Sequence, residues 1–141
     1  MRSFALLIFT IILTISALFF FMKISSTSED PILNEIRRRF TIIDPKFGSV
    51  PLKTGRRSYT ENKSIITLCV VEPESGKTYD INTIMYVALH ELAHTITKAD
   101  GEESHGDEFK NNFSYLLKRA HAKRVYDLSK SIPITYCGLE E

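Results

Sequence analysis

Two histidines and a glutamate interrupt an otherwise apolar stretch, "MYVALHELAHTITK", Met85–Lys98. On a helix, His90 and His94 stand four residues apart on one face, so both imidazoles reach toward one point. Glu91 lies one step round the same helix. Two nitrogen donors from one helix, a third protein ligand and a water make up the coordination of a catalytic zinc. Zinc lowers the pKa of water from about 16 to about 7, and an adjacent carboxylate then takes its proton. Glu91 would be that base, and afterwards the acid that protonates the leaving amine of a cut peptide. The competing reading makes His90, Glu91 and His94 core residues, each of which then needs a hydrogen-bond partner inside the fold.

The HExxH pattern needs a third ligand, and His105 in "SHGDEF" leads the candidates. A nearby residue can fold back onto the helix face only if the helix ends first. Gly101 is expected to supply that break, and Gly106 to let the backbone turn tightly beside the metal. Glu102, Asp107 and Glu108 are lesser candidates. His121 is expected at the surface of the next helix.

These residues must be positioned by the elements around them. Asp80 or Asn82 is expected to cap the central helix, which is apolar around most of its girth. Before it, "SIITLCVV", Ser64–Val71, is β-branched and reads as a buried strand. "EPESGKTYD" is turn chemistry, with Gly76 where a positive φ is needed. "PILNEIRRRF" steps Ile32, Ile36 and Phe40 by four and predicts an amphipathic helix from Pro31, capped by Asp30. "DPKFGSVPLKTGRRS" predicts loop with short extended pieces. After the motif, Phe109, Phe113, Leu116, Leu117 and Ala120 form one apolar face of a helix starting near Asp107. "SIPITYCG" reads as a closing extended segment.

"HELAH", with "HGDEF" beginning eleven residues beyond His94 and followed by an amphipathic helix, resembles the SprT and WLM (Wss1-like) metallopeptidases over roughly residues 58–121. The resemblance implies an α+β fold: a compact zincin-like domain of helix, small sheet, active-site helix and supporting helix. It implies zinc on His90, His94 and His105, Glu91 as general acid/base, and Phe109 packed behind the third ligand. The DNA-linked role of better-known members does not transfer, because this chain has no room for a nucleic-acid or ubiquitin-binding module.

The chain has 141 residues and a formal net charge of +1, with 43% apolar and 25% charged residues. That is the composition of one folded domain, and it leaves nucleic acid outside the expected partners. The N-terminus departs from it. The uncharged run Phe4–Met22 approaches the roughly 20 residues a membrane-spanning helix needs. Expected from this are an uncleaved transmembrane anchor at 1–23, a linker at 24–30 and a metallopeptidase domain at 31–141. The expected localisation is single-pass membrane, through residues 4–22, with either side open. Asn62 and Asn112 each start a glycosylation sequon. Cys69 and Cys137 could form one disulfide or none, and Cys69 reads as a buried thiol.

Together these readings give a membrane-anchored zinc peptidase acting on a protein or peptide. The substrate would lie as an added strand on Ser64–Val71 or on its neighbour near Ser58–Thr60. Tyr86, Tyr115 and Tyr136 are open as oxyanion donors. One alternative is a non-catalytic, zinc-stabilised interaction module. Another is a basic-patch binder using Arg37–Arg39 and Lys118–Arg124.

Overall fold

Segments of helical and strand periodicity alternate along this chain, and they fold as a mixed α+β domain. The computed structural model describes residues 12–16, 30–133, 135–137 and 139–140.

Helix α1 runs Pro31–Ile43. Asp30 caps it, its carboxylate accepting from Ile32 N at 2.8 Å, and Pro31 sits where no amide is needed. The buried face is Leu33, Ile36, Phe40 and Ile43. Leu33 lies fully in that face, and Ile32 is half-buried at its margin, packed against the core. A 3₁₀ turn, Pro45–Ser49, follows, and then strand β1, Leu52–Thr54.

Strands β2, Tyr59–Glu61, and β3, Ile65–Leu68, complete a sheet of order β1-β3-β2. β3 is central, parallel to β1 and antiparallel to β2. It is shorter than the expected Ser64–Val71, because beyond Cys69 the chain turns to a separate pairing. Val70 O accepts from Tyr79 N, and Val71 bridges Thr78. Gly76 has the positive φ expected of it, 68°.

Helix α2, Ile81–Ile96, lies against this sheet, capped by Asp80 through the amides of Asn82 and Thr83. Its Ile84, Met85, Ala88, Leu89, Leu92 and Ala93 are buried. Helix α3, Asp107–Ala122, packs on α2 through Phe109, Leu116 and Ala120. Two short strands, β4 at Thr135–Tyr136 and β5 at Leu139–Glu140, pair antiparallel near the C-terminus.

The expected membrane anchor requires correction. Among the described residues, no helix is long and apolar enough to cross a membrane. Of the run Phe4–Met22 the structure describes only residues 12–16, a helical piece. The rest of that run, with linker residues 24–29, lies outside the described residues. The transmembrane helix in the expected fold and the single-pass membrane localisation are therefore withdrawn.

The cysteine reading is corrected too. Cys69 is buried but is not a thiol: it is disulfide-bonded to Cys137, with Cα atoms 6.3 Å apart. Tyr136 packs beside the bond. Its ring stacks on Tyr79 at 4.6 Å and its hydroxyl donates to Cys69 O.

Arg37–Arg39 and Arg119 are engaged within the fold. Arg37 donates to Gly48 O and Val50 O. Arg38 and Arg39 both pair with Glu35, whose carboxyl their hydrogen bonds hold at about 2. Arg39 also reaches Val125 O, and Arg119 reaches Ile43 O.

Candidate metal centre

α2 presents His90 and His94 from consecutive turns, with ring centroids 5.1 Å apart. The helix stops at Ile96, earlier than "KADG". Thr97 is already extended, its hydroxyl donating back to Ala93 O, and Asn112 Nδ2 donates to Ile96 O and Thr97 Oγ1. Asn112 is thus committed to closing the helix end. Gly101, at φ 60°, does not end the helix. It opens a 3₁₀ turn, Gly101–His105, that carries the third histidine back over α2. Gly106 follows with an ordinary negative φ, and crowding rather than backbone sign requires glycine there. A Cβ would sit 3.0 Å from Glu103 O.

The fold-back places His105 Nε2 3.4 Å from His90 Nε2. One nitrogen from each of His90, His94 and His105 lies within 4.8 Å of the others. Nitrogens bound to one tetrahedral zinc at 2.0–2.1 Å are separated by about 3.3 Å. The His90–His105 pair has that spacing, and the set needs only a small contraction around an ion. Phe109 is buried among all three rings, with centroids 4.9, 4.5 and 4.8 Å from His90, His94 and His105. It packs behind the whole triad, not the third histidine alone.

Electrostatics suit the same chemistry. Burial, reinforced by the neighbouring imidazoles, lowers His90 to about 4. His94 is lowered by burial, then by His105 and Lys63. Both are therefore neutral near pH 7, the form a metal requires. Glu91 is buried and its carboxyl is raised by desolvation, an effect opposed by a hydrogen bond from Thr60. The donor set fits zinc: three imidazoles with a carboxylate alongside.

These side chains line a cleft of about 690 Å³, whose other wall is Ser58, Tyr59 and Thr60 of the β2 segment. β2 is an edge strand. Ile66 N donates to Pro51 O and Leu68 O accepts from Gly55 N, so both face β1. By alternation, Ile65 and Thr67 face β2, and their partners Glu61 and Tyr59 face back. The N–H and C=O of Thr60 therefore point out of the sheet, as a strand edge does toward an added peptide.

The remaining candidates fall elsewhere. Glu108 accepts from the amides of Lys98 and Ala99. His121 Nδ1 lies against Tyr126 O and Leu128 N. Tyr86 packs on Phe113, Tyr115 is exposed, and Tyr136 points its hydroxyl at Cys69 O. The sequence reading offered Ser58–Thr60 as one possible substrate edge, but missed Thr60 as the partner of Glu91 and Lys63 at the cleft. A contact between a sheet residue and a helix residue carries no spacing signal, so nothing in the sequence marked those two.

Comparisons with known proteins carry no activity with them. No family model matches the chain. No solved structure matches it either. It is 40% identical over 93 residues to an uncharacterized protein of Invertebrate iridescent virus 3, covering 66% of this chain and 57% of that one. It is 36% identical over 90 residues to an uncharacterized protein of Invertebrate iridescent virus 6, covering 62% and 49%. A third, from Acanthamoeba polyphaga mimivirus, is 39% identical over 98 residues, covering 68% and 44%. The chain thus spans about half the length of the curated relatives it matches.

Proposed function

We propose that this chain is a zinc-dependent peptidase in which His90, His94 and His105 hold the metal and Glu91 is the general acid/base. The observation that carries this reading is the convergence of three imidazole nitrogens within 4.8 Å, beside a buried carboxylate in one cleft. The resemblance of "HELAH…HGDEF" to SprT and WLM peptidases points the same way.

Zinc at this position supplies a Lewis acid for the scissile carbonyl and makes water acidic near neutral pH. The chain's own residues do the rest. The edge of β2 binds the substrate as an extended strand through the main-chain groups of Thr60. Glu91, held at Oε2 by Thr60, keeps Oε1 for the proton. It takes that proton from the attacking water and delivers it to the departing amine. The raised basicity of a buried carboxylate favours the first transfer, and the same burial keeps bulk water from competing.

The test is hydrolysis of a mixed peptide library by the zinc-loaded chain and by its Glu91→Gln variant. Cleavage by the native chain that falls at least about a hundredfold in the variant, with zinc retained, supports the mechanism. Equal cleavage by both would overturn it. Zinc binding without any Glu91-dependent hydrolysis would favour the stabilising, non-catalytic role instead.

A further inference from the structure

The connection between β2 and β3 contains two residues in the left-handed region, Asn62 at φ 49° and Lys63 at φ 53°. Ser64 N closes the turn onto Glu61 O. Asn-Gly is the pair such a turn favours, because the second position accepts glycine without a Cβ clash. Asn62 fits. Lys63 does not, and a lysine held there is in strained backbone.

Its side chain accounts for its presence. Lys63 Nζ donates to Lys98 O at 2.6 Å and Ala99 O at 3.1 Å, and pairs with Asp100 Oδ1 at 2.8 Å. All three acceptors lie on the segment between His94 and His105. From the opposite side, the Glu108 carboxylate accepts from Lys98 N at 3.2 Å and Ala99 N at 3.1 Å. The segment is gripped by a cation on its carbonyls and an anion on its amides. That grip sets the path by which His105 returns to His90 and His94.

We infer that Lys63 is a positioning residue for the metal centre, a strap from the β-turn that fixes the His94–His105 segment so that His105 completes the site. The inference rests on the three-histidine reading. A lysine has the four-carbon reach to cross from the turn to three acceptors on a neighbouring loop, which the glycine preferred by the turn lacks. Groups that orient metal ligands without touching the ion typically alter metal affinity by 10–100-fold when removed.

The experiment is zinc titration of the full chain against a chromophoric chelator, for the native protein, Lys63→Gly and Lys63→Asn. Glycine and asparagine both tolerate a positive φ, so two substitutions guard against a fold defect peculiar to one. The expected result is a metal-free melting temperature within about 4 °C of native, since turn relief offsets the lost contacts. Zinc affinity in both variants should be weaker by about 10-fold or more. Lys63→Arg should recover part of it. Native-like zinc affinity in folded Lys63→Gly and Lys63→Asn would overturn the strap and leave the metal centre standing. No zinc binding by the native chain would overturn the metal centre, and the strap with it.

Discussion

The Thr60 hydroxyl lies 2.7 Å from Glu91 Oε2 and 2.9 Å from the backbone oxygen of the same glutamate. One hydroxyl proton faces two acceptors. With Glu91 ionised, Thr60 donates to the carboxylate. With Glu91 protonated at Oε1, Oε2 remains an acceptor for the Thr60 hydroxyl. On the proposed mechanism, the contact therefore holds the glutamate in place on both sides of the proton transfer.

Thr60→Val removes the hydroxyl but keeps the branched shape of the strand residue. It should lower the peptidase kcat by about tenfold to a hundredfold and leave zinc content unchanged, whereas Thr60→Ser should stay close to native. Steady-state kinetics with metal analysis checks this. A native kcat in Thr60→Val would separate Thr60 from the proton transfer.

A second prediction concerns pH in the metal-free chain. His90, lowered by burial and its histidine neighbours to about 4, and His94, lowered by burial, bind fewer protons folded than unfolded. Their contribution to stability is complete above about 6.5, the ordinary histidine value, and is lost as pH falls through their lowered folded values, about 4 for His90. Glu91 acts in the opposite sense. Its carboxyl is raised, so its contribution is present at low pH and fades as pH rises through its folded value. Glu91→Gln deletes the opposing group. Its melting temperature, by calorimetry in chelator, should climb from pH 4 to 7 more steeply than the native one. A flat profile in the variant would contradict the burial of these imidazoles as neutral groups.

The disulfide gives a third prediction. Cys69 and Cys137 are 68 residues apart in sequence, and closing a loop of that size restrains the unfolded chain. Cys137→Ser should cost about 2–4 kcal/mol in denaturant unfolding. Retention of native stability in Cys137→Ser would show that Tyr136, through its stacking on Tyr79 and its bond to Cys69 O, holds the C-terminal segment unaided.

What could be read ahead of the structure was whatever has a period or a fixed spacing. The helices α2 and α3 follow from their apolar faces, Asp30 and, as one of two candidates beside Asn82, Asp80 from capping chemistry, and the meeting of His90 with His94 from helical geometry. His105 was reachable because a glycine-bearing loop of that length leaves few places for it. Contacts set by tertiary packing were not legible. The Cys69–Cys137 bond joins segments 68 residues apart that share no pattern. The support of Glu91 by Thr60 and of the His105 segment by Lys63 crosses from sheet to helix between residues with no common pattern. The apolar run Phe4–Met22 misled in the other direction. Hydropathy alone predicted a spanning helix, and no such helix occurs among the described residues.

The most direct test of the metal centre is zinc stoichiometry by mass spectrometry on the purified full chain beside His105→Ala. The three-histidine geometry predicts about one zinc per native chain, and a loss or marked weakening of it in the variant. A well-folded native protein that takes up no zinc would contradict that centre, and His90, Glu91 and His94 would then be polar residues of the core.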